Sequence, residues 1–392
     1  MAKQVSRPTG TAPLVSLPAT GSDRLAGDEN ERWTSRYRWV LVALGSLAAS
    51  RIISTSVLLL SAVHRHLPIF SSHSVLAYDD SAFYISAAIH GYAPHVDVTV
   101  KNTTGFFPAL PAAIRIVHVL TGLPWTVTGV AIDSVLEVAA VIAVAAVTRQ
   151  VLDHRSAERG VVLLALFPGA YIFTQVYSEP LFLFAAACCL FALHRRWWIV
   201  AGVAASLAGA TRPTGIILAL CCAWVALQEI RTRREWRSLI APILAPTGFI
   251  TFLVFLWIRT GEALTYVHTQ DDAFNQRPTL TAIPEQIRNA VMGTPHRDIA
   301  YPVLLTLGIV GTVLLIKLRP RVPAVWISYS IGGILVNLPS AHVGFRPRFA
   351  LLTFPLITGL GARLKGRAMI LAVAISVAGL IFLSWTLPVY VP

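Results

Sequence analysis

From Trp39 to the end, the chain is a succession of apolar runs of ~15–25 residues, broken by short intervals that carry most of the charge. This pattern limits the possible folds severely. Inside a bilayer every backbone N–H and C=O needs a partner within the protein, so only helices and closed barrels can span it. The runs do not alternate apolar with polar residues, which excludes a barrel. Charged residues make up 13% of the 392, against about 25% in a soluble domain. The expected fold is all-α: a polytopic helical membrane protein of about eleven transmembrane helices.

Basic residues give a topology. Six fall before the first run, and the rest of the set falls in "TRQVLDHRSAER", "HRRWW", "RTRREWR", "KLRPR" and "RLKGR", so that 21 of 32 Lys and Arg occupy these intervals. Cytoplasmic loops collect Lys and Arg, so these intervals define the inner side. The net charge of +13 is explained in this way, and no nucleic-acid partner is expected. The intervals 62–124, 177–180, 210–213, 259–299 and 338–348 then face outward, the longest outer loops being 62–124 and 259–299. An odd number of crossings must lie between 62–105 and 149–160. The run "GFFPALPAAIRIVHVLTG" is short, has two prolines near its start and carries Arg115 and His118, so 106–122 is expected to lie in the interface. The eleven spans are then 39–60, 125–149, 161–176, 180–194, 197–210, 213–230, 239–258, 300–318, 323–338, 348–362 and 368–388. Residues 1–36 read as a disordered cytoplasmic tail with no cleavable signal, and 37–392 as one membrane domain with its C-terminus outside the cell membrane. All four cysteines lie within apolar runs and read as packing residues.

The outward intervals hold an uneven share of reactive side chains. "LAYDDSAFYISAAIHGY" places Asp79 and Asp80 side by side; "YSEP" adds Tyr177 and Glu179, and "TRPTG" adds Arg212. "HTQDDAFNQRP" adds Asp271, Asp272 and Arg277, and "SAHVGFRPRF" adds His342, Arg346 and Arg348. Acids and arginines on one face suit glycosyl transfer from a lipid phosphate. A carboxylate takes the proton of the attacking hydroxyl, and the planar guanidinium fork binds the departing phosphate in two places. A polyprenyl-phosphate sugar donor would lay its tail in the lipid bilayer, and the acceptor would be a glycolipid or glycan.

Structural roles compete for the same residues. Asp80 or Ser81 equally suits the N-cap of a helix that stops at Gly91. Glu179 before Pro180 suits a helix start, and Asp271 and Asp272 suit a solvated loop. Arg51 in the first span, with Asp133 and Glu137 one turn apart in the second, reads as an ion pair at membrane depth. No cofactor and no metal ligand set is expected, while the paired acids keep a divalent ion open.

Several stretches resemble the PIG-V mannosyltransferases of the GT-C superfamily. Against that family's W-D-x-x-W-Y-x-x-I-A-x-x-G-Y pattern, Asp80 falls on the Asp, Phe83 and Tyr84 on the aromatic pair, and Gly91 and Tyr92 on the closing dipeptide. "GFFPALP", "YSEPLFLFAAACCLFAL", "RRWWIVAGVAASLAGATRPTGIILAL" and "RPRFALLTFPL" are similar to its later segments. The likeness runs over about 40–365. It implies a GT-C-like fold with interfacial helices in the first outer loop, and an inverting mannose transfer from polyprenyl-phosphate-mannose with Asp80 as base. Asp79 stands where that family has Trp. A transporter or flippase of polyprenyl-linked sugars, or a sister transferase for another sugar, are the alternatives; transporters show repeats and a midplane site, and no repeat is visible here.

Overall fold

A computed structural model describes residues 21–68, 79–277, 279, 281–292, 300–338 and 346–386. The chain divides into two compact units, Met1–Arg38 and Trp39–Pro392. The tail expected at 1–36 falls in the first, and its residues 1–20 lie outside the described residues.

All regular elements among the described residues are helical. They are α1 (Gly21–His64), α2 (Asp80–His90), α3 (Ala109–Thr121), α4 (Trp125–Val151), α5 (His154–Ala165), α6 (Glu179–Arg195), α7 (Trp198–Gly209) and α8 (Ile216–Arg233). There follow α9 (Ile240–Leu244), α10 (Thr247–Thr260), α11 (Thr265–Asp272), α12 (Ala282–Met292), α13 (Ala300–Lys317), α14 (Ala324–Asn337), α15 (Pro347–Leu352), α16 (Phe354–Arg363) and α17 (Gly366–Thr386). The all-helical membrane class read from the sequence is what the chain adopts.

The expected count of eleven full crossings is not reproduced. Five helices among the described residues are long and apolar enough to cross, within Tyr37–His64, Trp125–Val151, Pro213–Arg233, Trp236–Thr260 and Gly366–Thr386. A sixth is the pair His154–Ala165 and Pro168–Thr174, bent by 67°. Prolines interrupt two of the expected spans, because each removes a backbone donor and its ring blocks the preceding turn. Pro168 opens a 3-10 turn in the expected span 161–176, and Pro355 follows a break at Thr353 in the expected span 348–362. Spans 197–210 and 323–338 form helices of 12 and 14 residues. The interfacial reading of 106–122 agrees in length: α3 has 13 residues, covering ~20 Å of a hydrocarbon core that is ~30 Å thick. Its Val119 and Leu120 are more than 70% exposed, as a lipid-facing stripe would be.

The core gathers around α6, which is apolar on all sides and buried at Leu183, Ala185, Ala186, Ala187, Cys189 and Leu190. A helix of this composition is stable only when surrounded. It packs against the small residues Ala140, Val141, Val144 and Ala145 of α4 and against Ala201, Ala205 and Ala208 of α7. The four cysteines are free thiols, with Cys189 Sγ 3.9 Å from Cys222 Sγ across α6 and α8. The basic intervals meet at the far ends of these helices. Arg159 Nε donates to the Gly361 carbonyl at 2.8 Å, and Arg363 Nη2 to that of Lys317 at 2.9 Å. Arg196 pairs with Glu229 at 3.3 Å. From Glu179 to Arg195 the helix α6 rises ~24 Å, so the acids and the basic loops occupy opposite ends.

Candidate active site

Residues from five separate stretches converge at the end of the bundle away from those loops. Asp80 is the first residue of α2, and Asp79 precedes it with φ 56° and ψ −127°. That conformation costs a non-glycine residue about 1–3 kcal/mol. Asp79 occupies the N-cap position but makes no capping bond with its side chain. Its Oδ2 instead accepts from the Tyr177 hydroxyl at 3.3 Å. The capping role expected of Asp80 or Ser81 is therefore not what the helix uses, although it does stop at Gly91 as expected.

Asp80 Oδ2 accepts from Arg348 Nη1 at 2.8 Å. Arg348 Nε lies 4.0 Å from Glu179 Oε1, and Glu179 also forms an ion pair with Arg212. The Arg348 guanidinium stands 5.6 Å from the Tyr177 ring centre and 4.9 Å from that of Phe349; Arg212 stands 5.0 Å from the Phe349 ring. Each contact is within the reach of a cation–π interaction. Arg348 comes this close because Gly169 lies under it: a Cβ there would overlap the Pro347 carbonyl. Glu179 is 1% exposed, and Arg348 and Arg212 are its two countercharges.

The turn between these groups is fixed from both sides. The Tyr84 hydroxyl of α2 and Ser178 Oγ share a hydrogen bond of 2.8 Å, and Asp133 Oδ2 of α4 accepts from the Tyr177 amide at 2.6 Å. Glu137, the next acid along α4, lies 3.3 Å from Arg51 Nη1. Of the two partners expected for Arg51, Glu137 is the one it meets. A neighbouring wall joins α11 to the first loop. Thr104 and Thr269 hydroxyls are 2.9 Å apart, Gln270 Nε2 donates to the Gly105 carbonyl at 2.8 Å, and the rings of Phe83, Phe106 and Phe274 lie within 6 Å of one another.

Charge states follow from these neighbours. Burial raises the proton affinity of Asp79 above its ordinary value, and the charge of Asp80 raises it further; Arg348 and the Tyr177 hydroxyl work against both. Burial alone would weaken the charge on Arg348, but Asp80 first and Glu179 next outweigh it, so this arginine is held more firmly protonated than usual. One carboxyl is thus tuned to take up a proton beside a fixed cation that can bind an oxyanion.

Among the residues singled out in the sequence, Asp79, Asp80, Tyr177, Glu179, Arg212 and Arg348 form one cluster. Arg346 is half-buried at the start of α15, and its charge acts on Tyr171. Asp271 pairs with Arg277 at 3.6 Å on the α11 side and Asp272 is exposed; none of the three makes a polar contact with the cluster. His342 lies outside the described residues. Phe349 and Ser178 join the site without having been assigned to it, and Asp133, expected as a partner of Arg51, joins it through the Tyr177 amide instead. Phe349 directly follows Arg348, and this adjacency is the one local signal that pointed to it. No group of three His, Cys, Asp or Glu among the described residues is arranged to hold a metal ion.

No curated protein matches the sequence. The fold is similar to that of the Archaeoglobus fulgidus oligosaccharyltransferase in its apo form, with a TM-score of 0.51 and 14% identity over 88% of this chain and 55% of that one. It is also similar to ArnT from Cupriavidus metallidurans bound to undecaprenyl phosphate, with a TM-score of 0.50 and 14% identity over 84% of this chain and 63% of that one. At such identity the likeness is one of fold, and this chain spans a little over half of each neighbour. Residues 110–341 match the sequence model of glycosyltransferase family 87. Because that match extends over more than half of the sequence, the chain belongs to glycosyltransferase family 87.

Proposed function

We propose that this glycosyltransferase moves mannose from polyprenyl-phosphate-mannose to a glycolipid or polysaccharide acceptor at the extracytoplasmic face of the cell membrane. The observation that carries this reading is the 2.8 Å contact between Arg348 and Asp80, with Asp79 beside them. This contact supports a site in which a proton acceptor and a phosphate-binding fork act side by side. The neighbour crystallised with undecaprenyl phosphate supports a lipid-phosphate donor. The motif likeness to PIG-V enzymes supports mannose, and the basic loops at the opposite helix ends support the outward orientation.

In this reaction the acceptor oxygen attacks the anomeric carbon as the carbon–oxygen bond to phosphate breaks. The hydroxyl proton passes to a carboxylate, and polyprenyl phosphate leaves with the electron pair, held by Arg348 and Arg346. A single displacement inverts the anomeric centre. Attacking and leaving oxygens stand on opposite sides of that carbon, so the base and the phosphate cation cannot stay in direct contact. Donor phosphate draws Arg348 away from Asp80 and frees this carboxylate to act as base. Asp79, whose proton affinity is already raised, is the alternative base. Tyr177, Glu179 and Arg212 shape the cavity, and Asp271, Asp272, Arg277 and His342 are the further residues proposed to line it. The test is transfer of radiolabelled mannose from polyprenyl-phosphate-mannose by the purified protein in lipid, with envelope glycolipids as acceptors. Label should move to the acceptor with inversion. A folded protein that moves no label, or that carries the intact donor across vesicles without transfer, overturns the reading.

A further inference from the structure

Asp133 is 2% exposed within α4, where an unpaired carboxylate is expensive. Three residues one turn apart on α4 explain what it does there. Gly129 lets the chain approach: a Cβ on it would lie 3.0 Å from both methyls of Val176. Asp133, one turn on, accepts from the next amide, that of Tyr177, at 2.6 Å. Glu137, a further turn on, meets Arg51 at 3.3 Å. Between the 3-10 turn Pro168–Thr174 and the start of α6, the backbone is extended at Gln175, and the Tyr177 amide has no helical partner. A buried amide without an acceptor would cost about 1–3 kcal/mol, and Asp133 supplies one. Its other oxygen, Oδ1, is buried with no hydrogen-bond partner among the described residues. One contact therefore fixes a residue whose ring faces Arg348, whose hydroxyl reaches Asp79, and whose neighbours Ser178 and Glu179 hold Tyr84 and Arg212.

We propose that Asp133 is a positioning residue for the transfer reaction: by holding the Tyr177 amide it keeps the Tyr177 hydroxyl on Asp79 and Glu179 beside the two arginines. This rests on the proposed role of the acid pair, but the contact chain from Asp133 through Tyr177 to Asp79 is testable without any substrate. Asp80, Arg348 and Tyr177 are the titratable and charged groups that act on Asp79 among the described residues. The Tyr177 hydroxyl donates to the Asp79 carboxylate and so favours its charged form. Losing that donor makes Asp79 hold its proton to higher pH.

The experiment is an infrared titration of the carboxyl band that disappears in Asp79→Asn, using the full chain in lipid nanodiscs. Asp133→Ala and Tyr177→Phe should each move that titration to higher pH by a similar amount, and the double variant should move it no further. Asp133→Asn, which keeps a carbonyl acceptor for the Tyr177 amide, should restore most of the wild-type curve. Glu137→Gln, the matched buried acid one turn on, should leave the curve in place. Where transfer is measurable, the acid limb of its rate profile should move in the same direction. An unmoved titration in Asp133→Ala, or a shift that adds to that of Tyr177→Phe, overturns the proposal. If Asp133→Ala does not fold, Asp133→Asn and Asp133→Ser decide it: Asn holding the wild-type curve while Ser moves it supports the role, and any other pattern removes it. Absence of transfer by the wild type would count against the function proposed above and leave this titration standing.

Discussion

Arg348 donates to Asp80 across 2.8 Å although 268 positions separate them in the chain. The two ends of this contact sit on different short helices, α15 and α2, and both residues are mostly shielded from solvent, at 14% and 22% side-chain exposure. An ion pair so placed is stabilising only while both partners remain, because either one alone is a charge left in a poor solvent. In the proposed reaction it opens when a sugar phosphate enters, which makes it a natural point for experiment.

The two aspartates are separable by substitution. Asp80→Asn should lower sugar transfer by about 10²-fold or more if Asp80 takes the proton, with donor binding retained. Asp79→Asn should then have the smaller effect. Rates measured side by side at saturating donor decide between them; equal, near-wild-type rates in both variants would remove the pair from the reaction.

Asp79 also gives a pH signature. Its proton affinity in the folded protein lies above the ordinary value of 3.8. The folded state therefore binds more protons than the unfolded state between those two values. By linkage, stability falls as pH rises through this window, and is greatest below it. Asp79→Asn should flatten that part of the stability curve. Thermal midpoints of the two proteins measured between the ordinary aspartate range and neutrality provide the check, and parallel curves would contradict it.

Arg348 is at once the countercharge of two acids and the proposed cation for the donor phosphate. Arg348→Ala leaves Asp80 and buried Glu179 short of a countercharge and should destabilise the protein by about 3–5 kcal/mol. Arg348→Lys keeps the charge but loses the planar fork. It should fold well while raising KM for the lipid-phosphate donor, and donor titrations of the two variants report the difference. A lysine variant with wild-type KM would take Arg348 out of phosphate binding.

Gly169 tests how closely the site depends on backbone contact. In Gly169→Ala the new methyl meets the Pro347 carbonyl, which belongs to the backbone and cannot rotate away. Overpacking of this kind costs about 1–3 kcal/mol, and α15 has to shift to relieve it. Transfer should fall by up to ~10²-fold through misplacement of Arg348. Activity and melting temperature together measure this; a variant unchanged in both would mean that the approach is looser than described.

Apolar runs and the placement of Lys and Arg were enough to determine that this chain is an all-helical membrane protein, since lipid leaves the backbone few other solutions. Local chemistry also marked Asp79, Asp80, Glu179, Arg212 and Arg348, because acids and arginines in an apolar chain are rare and costly to bury. The sequence could not say that Asp80 meets Arg348, that Glu179 is shared by two arginines, or that Asp271, Asp272 and Arg277 stay on the α11 side. Those outcomes depend on how α2, α6 and α15 pack, and no local pattern encodes a contact between residues hundreds of positions apart. The number of crossings is likewise left to the tertiary structure: hydropathy reads continuous apolar runs, while Pro168 and Pro355 each remove a backbone donor and break two of the expected spans into shorter helices whose packing the sequence does not encode.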